Sequence, residues 1–317
     1  MLGLNRKIYL SIIILFALII FVIGYLFYAV PISNHKVFGV TYMTMNNPFY
    51  EIINNELEKN IEKNGDRLIT LDPQLDINKQ NEQIYSFIEQ KVDGIFINPI
   101  DAKKIEPALK AAKKAHIPII TVDAPVINKD LVNCTVVSNN YNAGVQCAKD
   151  MMSKLKSANI VLLKHTTALS AKERIDGFLD TIDDYPEYKI INQGECKGQL
   201  EKAMPVMKRI LKETPEVDVV MALNDPSALG ALAALESMGY NDVRVYGVDG
   251  TPDIKSLIGE SPLVAGTVAQ SPISIGKIAA KNMYDLLSGK EIGSNIITPV
   301  ELITKENIAQ FNKTGWQ

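Results

Sequence analysis

Four residues recur in a fixed pattern that invites a chemical reading. Asn98 precedes Asp123 by 25 residues, and Asn224 precedes Asp249 by the same 25. Each Asn follows one apolar run (GIFIN, VVMALN) and each Asp ends the next (IITVD, VYGVD), and the whole pattern repeats at an offset of 126. A carboxylate accepts from two hydroxyls, and an amide both donates and accepts. Residues of matching chemistry stand in other loops: Asn47, Phe49 and Tyr50 in NNPFY, Arg174 in SAKERIDGF and Gln270 in VAQSPISIG. Arg donates to two oxygens and aromatic rings cover C–H faces, so the set suits a small polyhydroxylated ring such as a monosaccharide.

Catalysis is the less economical reading. Asp123 and Asp249 could form a glycosidase carboxylate pair. Nothing in the sequence sets one carboxyl apart from the other in pKa, as acid–base work requires. The chain contains no G-x-S-x-G elbow, no P-loop and no G-x-G-x-x-G. Lys and Arg total 33 against 36 Asp and Glu, so there is no basic field for nucleic acid. Cys134, Cys147 and Cys196, with His35, His116 and His165, show no metal-ligand spacing. Neither an enzyme nor a metal or cofactor is expected.

The elements that must position these residues alternate along the chain. Apolar runs at 37–42, 68–71, 94–98, 118–122, 135–137, 160–163, 189–192, 217–222, 243–248 and 264–269 read as strands, with helical segments between most of them. Residues 48–64 predict a helix with Asn47 as N-cap, Gly65 just past its end and Phe49, Ile52, Ile53, Leu57 and Ile61 on one face. Steady strand–helix alternation implies parallel sheets with right-handed crossovers. The repeat implies two such α/β lobes, and ligands of open parallel sheets bind beyond the carboxyl ends of the strands.

Ahead of this lies an apolar segment. Residues 8–30 form a run of 23 without a charged side chain, preceded by Arg6 and Lys7. At about 1.5 Å per residue the run spans a bilayer, and the basic pair predicts a cytoplasmic N-terminus. Its end, Phe27-Tyr28-Ala29-Val30-Pro31, puts the bulky Phe27 where a signal-peptidase site needs a small residue, which favours an uncleaved anchor over a cleaved signal, and no cysteine stands near to accept a lipid. Residues 1–33 therefore read as a stub and uncleaved single-pass anchor, joined by a polar stretch at 33–36 to an extracytoplasmic remainder.

With these motifs in order, the chain resembles the ribose-type family of periplasmic sugar-binding proteins. NNPFY, ITVD, SAKERIDGF, LNDPSALGAL, YGVDGTPD and VAQSPISIG follow the family's order from about residue 37 onward. The resemblance implies the type I periplasmic-binding-protein fold: two doubly wound parallel-sheet lobes joined by a three-strand hinge. Crossings fall near Ser138, Gln270 and Pro299, giving lobes of 37–138 plus 271–299 and 139–270 plus 300–317. It also implies that Asn47, Phe49, Tyr50 and Asp123 hold the sugar from one lobe, Arg174, Asn224 and Asp249 from the other, with Gln270 at a crossover. The anchor makes the chain most similar to membrane-anchored xylose-sensing binding proteins of clostridial type. That implies a membrane sensor histidine kinase as partner, with an ABC permease as the alternative. The two-lobed transcription repressors are excluded, because about 36 mostly apolar residues leave no room for a helix-turn-helix ahead of the first strand.

Each site residue also has a plainer role. Asn47 and Asn224 stand where helix caps belong, Phe49 lies on an apolar helix face, Arg174 is flanked by Lys172 and Glu173, and Gln270 sits at a hinge. Asn98 and Asp101 are expected to cap, and Cys196 to be a small inert side chain lining its loop. Two positions depart from the ribose binders: Ala124 replaces an Arg, and Cys196 aligns with an aromatic. These changes shift the expectation from ribose to another pentose, xylose first, or a related hexose.

Overall fold

A computed structural model describes residues 2–29 and 35–317. The end of the apolar run at Val30 and the start of the joint at Ser33 lie outside the described residues. Residues 1–36 and 37–317 form two separate units. In the first, helix α1 (Leu2–Ala29) contains a window, Ile8–Tyr25, of mean hydropathy 2.8 with no side chain buried. It is long and apolar enough to cross a membrane.

The second unit alternates strand and helix: β1 (Val37–Thr41), α2 (Pro48–Glu62), β2 (Arg67–Leu71), α3 (Ile77–Glu89), β3 (Gly94–Ile97), α4 (Glu106–Lys114), β4 (Ile119–Val122) and β5 (Cys134–Ser138). It continues through α5 (Asn140–Lys154), β6 (Ala158–Lys164), α6 (Leu169–Ile182), β7 (Tyr188–Glu195), α7 (Leu200–Glu213), β8 (Val219–Ala222), α8 (Asp225–Ser237) and β9 (Arg244–Asp249). The last elements are α9 (Pro252–Leu257), β10 (Val264–Ala269), α10 (Pro272–Leu287), β11 (Asn295–Thr298) and β12 (Glu301–Thr304).

These strands build two six-stranded sheets, ordered β11-β5-β4-β3-β1-β2 and β12-β10-β9-β8-β6-β7. The first is parallel throughout, whereas β12 runs antiparallel to β10 at the edge of the second. The purely parallel reading therefore needs one correction. A strand that enters directly after Pro299 and Val300, without a crossover helix, returns against its neighbour. The chain passes between sheets after Ser138, after Ala269 and between Thr298 and Glu301.

Both sheets are covered on two faces, which is why their strands read as continuous apolar runs. Phe38, Val40, Phe96 and Ile120 pack with Ile53, Leu57, Ile275 and Met283 of α2 and α10, while Ile95, Ile97 and Ile119 pack with Ile84, Phe87 and Leu109 of α3 and α4. Gly39 is small because the Phe87 ring lies where its Cβ would be, at 2.6 Å. In the second sheet Ile160, Leu162, Met221 and Val248 face α5 and α6 through Cys147, Ile175 and Phe178. Val161, Leu163, Val220 and Val245 face α7 and α8. Truncating a ring such as Phe178 in this core costs about 3–5 kcal/mol.

Candidate functional site

The strand ends deliver the repeated residues to one place. Asn47 sits ahead of α2 with extended backbone; its side-chain oxygen accepts from the Phe49 N–H at 3.0 Å, and Pro48 opens the helix. Asn224 does the same for α8, accepting from the Ser227 N–H at 3.0 Å and its hydroxyl at 2.6 Å, while its amide donates to the Gly198 carbonyl at 3.1 Å. Asp123 follows β4 and Asp249 ends β9, and both have positive φ, +66° and +138°. A non-glycine residue in that region is strained, and the same strain at both copies of the repeat turns both carboxyls out of their strands.

A cavity between the two sheets is lined by Asn47, Phe49, Tyr50, Asp123, Arg174, Asn224 and Asp249. All seven are at most 8% exposed, so the lobes stand closed over it. Two hydrogen bonds seal the rim: the Ala102 N–H donates to the Thr167 carbonyl at 3.3 Å, and the Thr167 hydroxyl donates to the Ile100 carbonyl at 3.2 Å. Gln270 is not among the lining residues; it donates to Asp249 Oδ1 at 2.7 Å.

Arg174 is the electrostatic centre. Its Nε donates to Asn140 Oδ1 at 2.8 Å and Nη1 to the Leu223 carbonyl at 2.8 Å. Nη1 lies 3.5 Å from Asp249 Oδ1, and Nη2 lies 3.9 Å from Asp123 Oδ1. Asp123 Oδ2 accepts from Asn98 Nδ2 at 3.1 Å. The remaining polar atoms, Asp123 Oδ1, Asp249 Oδ2, Gln270 Oε1 and Asn140 Nδ2, are buried without a hydrogen-bond partner among the described residues.

Burial pushes the carboxyls of Asp123 and Asp249 above their usual range, with Arg174 opposing it in both and Asp225 and Asp123 adding to it at Asp249. The Tyr50 hydroxyl is raised by burial and by the two carboxylates, and its oxygen lies 3.6 Å from Met43 Sδ.

Asn98 corrects one expectation. It caps no helix: its oxygen accepts from the Met43 N–H at 3.1 Å, and its amide donates to the Val122 carbonyl and Asp123, tying three strand ends together. Asp101 does hold a turn, accepting from the N–H groups of Lys103 and Lys104 at 2.9 Å. Cys196 is buried under its loop, 3.3 Å from the Ser227 hydroxyl, while its neighbours Lys197, Gly198 and Gln199 reach the cavity wall. Sequence reasoning missed these three, together with Met43, Leu75, His165, Ser170 and Leu223. It also missed Asn140, which follows the α5 cap Asn139 and holds Arg174.

The geometry agrees with known proteins. The periplasmic binding protein domain family matches residues 38–291. The ribose import binding protein RbsB of Bacillus subtilis is 34% identical over 278 residues, covering 86% of this chain and 90% of that protein. A solute binding protein of Bacillus halodurans, solved with myo-inositol, superposes with a TM-score of 0.82 at 27% identity, covering 88% of this chain and 98% of the other. The binding protein of the arabinose ABC transporter from Shewanella sp. ANA-3, solved with L-arabinofuranose, gives 0.81 at 27% identity, covering 87% and 94%. With two α/β lobes closing on a polar cavity, and this match along 38–291, the chain belongs to the periplasmic binding protein family.

Proposed function

We propose that the chain is a membrane-tethered, extracytoplasmic monosaccharide receptor that closes its two lobes, 37–138 plus 271–299 and 139–270 plus 300–317, on a pentose, with D-xylose the first choice. The observation that carries this is the pair of buried carboxylate oxygens, Asp123 Oδ1 and Asp249 Oδ2, that line the cavity beside Arg174 without a hydrogen-bond donor. Leaving such groups unpaired costs about 1–3 kcal/mol each, and a ring of vicinal hydroxyls donates to both. Asn47, Phe49, Tyr50, Asp123, Arg174, Asn224 and Asp249 contact the sugar, and Gln270 orients Asp249. Relatives that take ribose, L-arabinofuranose and myo-inositol support a small polyol as ligand. Ala124, buried where ribose binders carry Arg, supports a ligand other than ribose.

The sugar contacts both lobes and so shifts the population toward the closed form. The apolar helix α1 supports an uncleaved tether, and a tethered receptor suits a sensor histidine kinase better than a diffusing carrier does. Delivery to an ABC permease, the setting of the arabinose-binding neighbour, is the second reading. Calorimetric titration of the full-length chain in detergent with D-xylose, D-ribose, L-arabinose and hexoses tests the ligand, with tightest binding expected for D-xylose. Affinity purification from membranes tests the partner: recovery of a histidine kinase is expected, and recovery of permease subunits alone would establish the second reading.

A further inference from the structure

The buried ammonium of Lys255 plays no part in the ligand site. Lys255 lies on α9 and is fully buried. Its Nζ donates to the carbonyls of Asn312 and Gly315, at 2.7 and 2.5 Å, and to Gln317 Oε1 at 3.1 Å. An ammonium has three donors, and all three are spent on residues 312–317. Asn312 Oδ1 folds the segment on itself by accepting from the N–H and hydroxyl of Thr314.

Segment 312–317 is thus fixed to the lobe that carries Asp249. From it Trp316 reaches the other lobe, where its ring meets Phe49 edge-on, with centroids 5.7 Å apart and planes at 65°. Phe49 in turn lines the cavity and meets Tyr50 edge-on at 5.9 Å. A chain of contacts therefore runs from Lys255 through Trp316 to the ring that faces the ligand.

We propose that segment 312–317 is a latch of the closed clamp, anchored by Lys255 on one lobe and docked by Trp316 on Phe49 of the other. Trp316 is a positioning residue: it sets the Phe49 ring against the ligand and its contact exists only when the lobes are closed. The inference rests on the monosaccharide reading. An edge-to-face pair of this kind is worth about 2- to 10-fold in an equilibrium constant.

The sequence contains one tryptophan, so its emission reports the latch directly. The full-length chain in detergent is titrated with D-xylose, D-ribose, L-arabinose and myo-inositol, following fluorescence and thermal unfolding together. Expected is a saturable emission change with the same midpoint as the thermal shift. With dissociation followed by release of radiolabelled sugar, a readout independent of tryptophan, Trp316→Ala raises the dissociation rate about 2- to 10-fold with association unchanged, and Trp316→Phe restores most of it. Lys255→Met, which frees the segment without touching Phe49, reproduces the faster dissociation. A sugar that binds with unaltered emission, or Trp316→Ala dissociating within twofold of the parent, overturns the latch and leaves the clamp standing. Failure of all four sugars to bind overturns the clamp and the latch with it.

Discussion

Arg174, on α6 beside the second sheet, and Asp123, just beyond β4 of the first, come from elements of different sheets, yet the guanidinium Nη2 stands 3.9 Å from the carboxylate Oδ1, with both side chains at most 5% exposed. The same guanidinium lies 3.5 Å from Asp249 in its own lobe. One permanent cation therefore serves two buried carboxylates, and closing the lobes brings the third charge into range.

Arg174→Met removes that cation. Breaking a buried ion pair typically costs about 3–5 kcal/mol, and the two carboxyls respond by rising further in pKa. A carboxyl whose folded pKa lies above its unfolded value contributes stability at low pH that is lost as pH rises through the folded value. The variant is expected to lose at least 100-fold in sugar affinity, and its melting point relative to the parent should drop more at pH 8 than at pH 5. A penalty equal at both pH values would remove the coupling of Arg174 to the carboxylates.

Asn98→Ala tests the support behind Asp123. It deletes the 3.1 Å hydrogen bond to the carboxylate and the acceptor for the Met43 N–H. Binding should weaken by about 1–2 kcal/mol, roughly 5- to 30-fold, as measured by titration calorimetry. Unchanged affinity would mean that Asp123 needs no positioning.

His165 predicts the acid limb of stability. It lines the cavity with its Nε2 3.3 Å from the Thr167 hydroxyl, and burial lowers its pKa below the ordinary value. The folded chain keeps the ring neutral while the unfolded chain protonates it, so its contribution is present above about pH 6.5 and is lost as pH falls through the folded value. The slope of melting temperature against pH between 7 and 5 should flatten in His165→Gln. An unchanged slope would assign the acid limb to other groups.

Gly144→Ala tests how closely α5 and α6 must approach. A Cβ at Gly144 would overlap the backbone carbonyl of Arg174, so the helices must part and carry the guanidinium away from its partners. Overpacking of this kind costs about 1–3 kcal/mol, and affinity should fall with stability. Gly293→Ala, whose Cβ would meet only Ile296 at 3.8 Å, is the control expected to change neither.

The three cysteines should resist iodoacetamide at pH 8 until the chain unfolds. All are buried, and burial pushes Cys134 up to about 11 and raises Cys147 and Cys196. Alkylation of Cys196 in the folded chain would mean that its loop opens.

How legible this was depended on the physical signal each feature leaves. Eight largely buried strands announced themselves as apolar runs bounded by turns, the half-exposed edge strands β2 and β7 left shorter ones, and the Asn–Asp repeat marked loops at the strand ends. β11 and β12 left no such trace. They are four residues each, Ile297 is 56% exposed, and only Pro299 and Val300 separate them. Asn98 was misread because an amide after a strand looks the same whether it caps a helix or bridges strands. Asn140 was missed because it sits beside a true cap, and its value lies in a contact 34 residues away. Trp316 carried no periodicity at all; only the fold brings it to Phe49.

The central claim is that the cleft around Arg174, Asp123 and Asp249 binds a monosaccharide. Thermal unfolding of the full-length chain in detergent, with a panel of pentoses, hexoses and polyols, tests it most directly in parallel with Asp249→Ala. A ligand at 100 times its Kd adds about 2.7 kcal/mol, a shift of several degrees. The account predicts such a shift with at least one pentose and its loss in Asp249→Ala. No shift with any sugar, or a shift that survives Asp249→Ala undiminished, would contradict it.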